Sequence, residues 1–595
     1  MTSRLLVLPA NPPLRVTVTR RSSAEDGAGG TGADGAAGVL VGPCPGGSAL
    51  PLEPGPGEGC ADADAVPLLL PPPDEGPAVG LSSDPSPPEP HPVRATALSS
   101  TTATARNART PHLRRFSCRP RVWSRHHPHG KHQEDDIRRT AAWRWLPPLL
   151  AVLLGLWGLE RAGADGRGGM WRDESVTWQV AHRQLGSIWE LLGQVDAVHG
   201  LYYLLMHAVF QVWDGGGPAT GGLWALRLPS VAATALAAAG VAAVAHRLAG
   251  ERAALCSGVA YAVLPPVQMY AQEGRSYALV AAAVVWATYL MLRERWVAYA
   301  AVLLLGCWLH EFAVLALLAH GVSAWRSRGW RWSAAVVVVL LLPLAVVSAR
   351  QAEQQLGWLG RPGWQDWAAY GVVAVAVLLL ARGAAVPREL VRVAVPLALL
   401  PPGLLMAVSL VHPWYVDRYV LYALAGLALL AGTRLAAARG WWPWLLVAAL
   451  LVPFGWWSVW LRTPESRKDD VLAVAAAVRE RARPGDPVLF MPSRRREWLL
   501  SSPELYGTLR DLALARTPAA SHSLQGTELP TEEIWTRLVD APRVVALLDP
   551  AGQPLDPYPR EAVKRQTLAS HFDLCSVDEV RGARIALYAQ PGRCP

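Results

Sequence analysis

Between about residue 142 and 461 the chain is a succession of apolar runs, most of them close to membrane length, joined by short polar connections. A hydrocarbon core of ~30 Å takes about 20 apolar residues per helix, and within it each backbone polar group must be satisfied inside its own segment. The expected fold class is therefore an α-helical polytopic membrane protein. Spans read at 142–159, 227–245, 253–271, 276–292, 296–309, 312–325, 332–349, 368–381, 393–411, 419–433 and 441–460, about 11 in all. The two short segments within 296–325 read as a helical pair broken at Leu309-His310-Glu311.

Arginine placement sets the expected orientation. Alternate connections carry Arg247 and Arg252; Arg293 and Arg295; Arg326, Arg328 and Arg331; Arg382, Arg388 and Arg392; and Arg434 and Arg439. Each of these is net positive and the opposite connections are neutral or acidic, as the positive-inside rule requires for cytoplasmic loops. Reading 296–325 as one span breaks that alternation from there onward. The formal charge of +9 thus follows membrane topology, and no nucleic-acid partner is expected. With only Lys131, Lys468 and Lys564 as lysines, the choice of arginine at any one position carries no message.

Three regions follow. Residues 1–140 are rich in Pro, Gly, Ala and Ser without apolar periodicity and are expected to be a disordered cytoplasmic tail, strongly basic over 106–139 and suited to touch anionic membrane lipids. No apolar stretch in the first 30 residues suits a cleavable signal, so the first span is expected to be its own targeting signal. Residues 141–461 are the transmembrane domain. Its outer loop, 160–226, carries two surface-helix candidates: an amphipathic one over 175–192 and a second over 199–213. Residues 462–595 are charged and broken by Pro and Gly, with strand-like PVLFM, RVVALLD and ARIALYA and helix-like 470–483 and 560–572. They read as a small extracytoplasmic α/β domain. Cys575 and Cys594 there allow a disulfide or two free thiols, and the cysteines have no metal-ligand spacing.

Four polar motifs fall at the outer ends of the spans: Arg172-Asp173-Glu174, the Gln272-Glu273-Gly274-Arg275-Ser276-Tyr277 turn, His310-Glu311, and His412-Pro413-Trp414-Tyr415-Val416-Asp417-Arg418-Tyr419. Each has an ordinary reading, helix capping for the acid pair and snorkelling or a local ion pair for the rest. Their convergence on one face points instead to a charged cavity at the membrane surface. Carboxylates there suit a general base or a divalent cation, and arginine forks suit a phosphate or diphosphate. A phosphate donor on the outer face, away from nucleotide sugars, is expected to be lipid-linked. Mid-spans nearly free of charge argue against a transporter.

In this order, the acid pair in WRDESVTWQVA, Arg227-Leu-Pro-Ser230, YAQEGRSYAL over 270–279 and RYVLYALAGLALLAG resemble the GT-C superfamily of integral-membrane glycosyltransferases. The likeness is to the bacterial branch akin to protein O-mannosyltransferases and aminoarabinose transferases, glycosyltransferase family 39-like, over about 142–490. Gly274 stands where Ala is more usual, and Glu311 where an aromatic residue is frequent. The resemblance implies a GT-C-like enzyme moving a hexosyl or pentosyl group, mannose among the candidates, from a polyprenyl-phosphate donor to an acceptor hydroxyl, with inversion. It implies Asp173 as catalytic base or metal ligand, with Glu174 supporting it or contacting a divalent cation. It implies Glu273, Arg275, Tyr277, His310, Arg418 and Tyr419 as substrate-binding residues. The acceptor is a protein, lipid or polysaccharide. A flippase for lipid-linked sugars and a non-catalytic membrane scaffold are the alternative classes.

Overall fold

A computed structural model describes residues 142–160, 169–356 and 359–595. The disordered tail expected over 1–140 lies outside the described residues.

The chain first forms α1 (Ala142–Glu160), α2 (Arg172–Ala181), α3 (Leu185–Gln194), α4 (Gly200–Val212), α5 (Leu223–Ala249), α6 (Glu251–Val263), α7 (Pro265–Ala271), α8 (Tyr277–Leu292), α9 (Trp296–Leu309), α10 (Ala316–Ala324), α11 (Arg328–Leu356), α12 (Trp364–Ala381), α13 (Arg388–Val408), α14 (Leu424–Ala437) and α15 (Trp442–Trp460). Among the described residues, seven helices are long and apolar enough to cross a membrane: α1, α5, α11, α12, α13, α14 with the turn from Asp417, and α15. This is the architecture of a multi-pass membrane protein. The other four of the eleven expected spans are helical but shorter. Of these, 253–271 is divided at Leu264, which Pro265 holds in extended geometry (φ −62°, ψ 125°). The segment after α9 opens with a 3₁₀ turn, Glu311–Leu315, before α10.

Burial separates centre from rim. Alanine-rich α5 is the most enclosed of the membrane-length helices among the described residues, its small side chains letting α1, α6 and α8 approach closely. Peripheral α12 and α15 instead present Trp364, Val372, Trp442, Trp444 and Trp456 outward, an apolar exterior suited to lipid.

The arginine-bearing connections gather at one end of the bundle. Trp143 at the start of α1 stacks on His246 at the end of α5, and Arg247 Nε donates to the Leu292 carbonyl closing α8, at 3.2 Å. Arg434 Nε donates to the Leu380 carbonyl at 2.9 Å, joining the ends of α14 and α12. The opposite ends of α1, α5 and α14 meet α2, the 272–276 turn and Asp417.

The chain then forms α16 (Val471–Arg481), β1 (Pro487–Met491), β2 (Arg510–Asp511), β3 (Leu514–Arg516), β4 (Thr527–Glu528), α17 (Thr531–Val539), β5 (Arg543–Leu548), α18 (Pro559–His571), β6 (Asp573–Val580) and β7 (Ala583–Ala589). One sheet runs β2-β1-β5-β7-β6, with β1 parallel to β2 and β5, and β7 antiparallel to β5 and β6. Alternation along the strands supplies two cores. Val488, Phe490, Val545 and Leu547 join α16 in the core continuous with the membrane helices, whereas Leu489, Met491, Val544 and Ala546 pack with Ile534 and Leu538 of α17 and Leu568 of α18. Strands covered on both faces explain the uninterrupted apolar runs PVLFM and RVVALL. Of the two states open to Cys575 and Cys594, the structure has the disulfide.

One local expectation is corrected. The single surface helix over 175–192 is two helices, turning at 182–184, and α2 is enclosed from Glu174 to Ala181. Its polar side chains are bonded by other parts of the chain: Ser175 Oγ donates to the Glu497 carbonyl (2.8 Å), Thr177 Oγ1 to that of Gly274 (3.3 Å) and Gln179 Nε2 to that of Leu524 (3.1 Å).

A reporter fused at residue 385, in the arginine-rich connection, is expected to read as cytoplasmic, and one at residue 470 as extracytoplasmic. The same compartment at both positions would contradict the orientation.

Candidate active site

The acid pair divides between two environments. Glu174 is fully buried. Its Oε1 accepts from Arg227 Nε (2.7 Å) and the Gly274 amide (2.7 Å), and its Oε2 from Arg227 Nη2 (2.6 Å). Arg227, from the Arg-Leu-Pro-Ser motif, also donates to the Gly169 carbonyl at 3.1 Å. Burial works to raise the Glu174 carboxyl, but Arg227 and the Gly274 amide outweigh it and hold it below its ordinary range. The Trp171 amide reaches Glu174 Oε2 at 3.4 Å, so the capping reading applies to this residue.

Asp173 faces elsewhere and its side chain is 25% exposed. Its Oδ1 lies 3.9 Å from Arg275 Nη2 and its Oδ2 3.3 Å from Arg418 Nη2. Burial again works upward, and Arg275, Arg418 and Arg172 together bring the carboxyl below its ordinary range. Asp173 stays ionised between two guanidinium groups.

Arg275 sits in the turn joining α7 to α8, which Ser230 Oγ orders by donating to the carbonyls of Glu273 (2.6 Å) and Arg275 (3.1 Å). Its Nη1 reaches Tyr203 OH at 3.4 Å, and that hydroxyl donates to Asp196 Oδ2. Arg418 opens the 3₁₀ turn Asp417–Ala423, donates from Nε to Tyr277 OH at 3.0 Å, and lies 5.5 Å from the Trp171 ring, 5.6 Å from Tyr277 and 5.8 Å from Tyr419. Such a platform orients a cation without neutralising it. Tyr419 packs on His310 with centroids 4.4 Å apart, and His199 lies 5.7 Å from His310 on another side. Glu273 is fully buried, with Oε2 3.2 Å from Arg467 Nη1. Burial pushes its carboxyl up to about 7 against the pull of Arg467 and Arg418.

All eight residues singled out from the sequence, Asp173, Glu174, Glu273, Arg275, Tyr277, His310, Arg418 and Tyr419, therefore share one neighbourhood. Asp196, His199, Tyr203 and Arg467 join them. The first three lie in and beside a stretch that reads as a surface helix, and Arg467 in the charged start of the C-terminal region. Buried polar atoms without a hydrogen-bond partner gather here: Trp171 Nε1, His199 Nδ1, Glu273 Oε1, Arg275 Nε, Ser276 Oγ and His310 Nδ1. Such groups are costly unless a ligand or water meets them. A divalent cation fits poorly. Among the described residues no group of three His, Cys, Asp or Glu could hold one, and each of Asp173 and Glu174 already faces guanidinium groups.

No family model matches the chain, and no curated protein matches it. Among solved structures, ArnT from Cupriavidus metallidurans in the apo state aligns with a TM-score of 0.48 at 13% identity, over 75% of this chain and 98% of that one. ArnT from the same organism bound to undecaprenyl phosphate aligns with a TM-score of 0.38 at 12% identity, over the same shares.

The two carboxylates should separate on substitution. Glu174→Gln leaves buried Arg227 without its counter-charge and is expected to cost ~3–5 kcal/mol. Asp173→Asn, in a partly exposed and looser pair, is expected to cost about 1 kcal/mol or less. Thermal melts of the purified protein in detergent measure both, and equal losses would contradict the division.

Proposed function

We propose that the chain is a membrane glycosyltransferase that moves a hexosyl or pentosyl group, mannose among the candidates, from a polyprenyl-phosphate donor to an acceptor hydroxyl at the outer face of the membrane. The observation that carries this reading is Asp173: a partly exposed, ionised carboxylate between Arg275 and Arg418, at the ends of apolar helices. A polyprenyl tail can remain among such helices while its phosphate meets the arginines. The motif resemblance supports the same reading.

The chemistry follows from the placement of charge. Arg275 and Arg418 take the donor phosphate through their planar donor forks, and the rings of Trp171, Tyr277 and Tyr419 surround the Arg418 guanidinium at 5.5, 5.6 and 5.8 Å. Asp173 accepts the proton of the acceptor hydroxyl as its oxygen bonds to the anomeric carbon. The bond from that carbon to the phosphate oxygen breaks on the opposite face, so configuration inverts. The electron pair stays on the polyprenyl phosphate, where the two arginines stabilise it. A carboxylate already held ionised suits a reaction in which positive charge develops on the sugar ring ahead of proton transfer. Glu174, whose oxygens are engaged by Arg227 and Gly274, acts as a positioning residue for Asp173. The acceptor is a hydroxyl of a protein, lipid or polysaccharide.

Equilibrium binding of a polyprenyl phosphate to the purified protein tests the arginine roles. Arg275→Ala and Arg418→Ala are each expected to weaken binding by about 10- to 100-fold, the size of a lost charge-assisted hydrogen bond. Lysine at either position should recover only part of it, since it keeps the charge and loses the two-point geometry. Unchanged binding in both alanine variants would contradict the reading.

A further inference from the structure

We propose that the C-terminal unit is a positioning half of this site: Arg467, Asp469 and Glu497 reach from it to hold Glu273 and the peptide that carries Asp173. This rests on the transferase reading above.

Residues on both sides of Asp173 are gripped from that unit. The Arg172 amide donates to Asp469 Oδ1 at 2.9 Å, and Arg172 Nε donates to Glu497 Oε2 at 2.9 Å. On the other side, Ser175 Oγ donates to the Glu497 carbonyl at 2.8 Å, and one turn earlier the Val471 amide donates to the Met170 carbonyl at 2.7 Å. Glu497 is almost completely buried, so its carboxylate is committed to this contact. Asp173 turns its side chain to Arg275 and Arg418, and Glu174 to Arg227 of α5.

Arg467 does the same for the turn between α7 and α8. It is buried, lies 3.2 Å from Glu273 Oε2, and donates from Nη2 to the carbonyls of Met269 (3.4 Å) and Gln272 (3.3 Å). It therefore closes the end of α7 at the turn that presents Glu273 and Arg275. The other charged and titratable groups facing Glu273 are Arg418, Arg227, Glu174, Asp173, Tyr270 and Tyr202. Among the described residues, Arg467 alone is in ion-pair contact with it. A module that served solely to capture an acceptor would need none of these contacts. Arg467, Asp469 and Glu497 act through Asp173 and Glu273 and are positioning residues.

The test uses the purified full chain with three variants: Arg467→Gln, Arg467→Lys and the double variant Asp469→Asn/Glu497→Gln. Hydrogen exchange of the amides at 170–176 and 272–276 reads positioning without substrate. Exchange is expected to quicken at 170–176 in the double variant and at 272–276 in Arg467→Gln. With a polyprenyl-phosphate sugar that is turned over, kcat is expected to fall by on the order of tenfold or more in Arg467→Gln and in the double variant, and polyprenyl-phosphate binding is expected to stay close to wild type in the double variant, which leaves the Arg275 turn untouched. Loss of the Arg467 charge should raise the pH at which Glu273 ionises, and since the Glu273 charge acts on Arg418 and Asp173, the acid limb of the kcat profile should move up by about one pH unit, with Arg467→Lys bringing it back. Unchanged exchange in both segments would overturn the proposal. So would a kcat loss equal at all pH values with the limb in place, which marks simple destabilisation. Wild-type protein that turns over no polyprenyl-phosphate sugar would remove the transferase reading, and the exchange measurement would still decide the clamp.

Discussion

The buried pair of Glu174 and Arg227 fixes the geometry on which the site depends. Both side chains are out of solvent, and the carboxylate is met at both oxygens by one guanidinium and by the Gly274 amide. Removing two such charges from water is expensive and is offset only by near-ideal geometry, so the arrangement tolerates little displacement. It joins α2, α5 and the 272–276 turn at a single point. Neighbouring residues on an α-helix point about 100° apart. With Glu174 anchored inward, Asp173 is therefore turned toward Arg275 and Arg418. One carboxylate holds the helix and the adjacent one faces the two arginines.

The membrane explains where this could be built. Charge at the middle of a span is costly, whereas at a helix end it is met by other polar groups and by water. The arginine-bearing connections occupy one end of the bundle and the paired charges the other. The C-terminal sheet unit covers that second end and shares a continuous core with the helices through Val488, Phe490 and α16. Enclosure by protein on one side and apolar helices on the other makes the Asp173 ion pairs stronger than their separations would suggest in water.

Most of the membrane architecture was legible because a bilayer leaves few ways to hide a backbone, and the apolar runs mark their own ends. The break within 253–271 is written in Leu264-Pro265, where proline removes a donor and disfavours a helical neighbour. The enclosure of α2 was not legible. Val176, Val180, Ile188 and Leu191 repeat at helical spacing whether the polar face meets water or protein, and the groups covering it, Glu497 and Leu524, lie more than 300 residues away. The core of the site was visible because its motifs stand at segment ends among apolar neighbours. Arg467 was hidden in SRKDD, where a buried arginine and a solvated one look alike. Asp196 and His199 belong to a turn held by Gln351, whose Oε1 accepts from the Ala197 amide, a pairing that exists only in three dimensions.

Asp173 as the base is the central claim, and turnover measures it most directly. Purified wild-type protein, supplied with a panel of polyprenyl-phosphate sugars and candidate hydroxyl acceptors, should release polyprenyl phosphate from at least one donor and form a glycoside of inverted configuration. Asp173→Asn, which keeps the shape of the side chain, should bind polyprenyl phosphate yet turn over at least about 100-fold more slowly. Wild-type rates in Asp173→Asn would contradict the account and leave the acid pair as a structural element of α2.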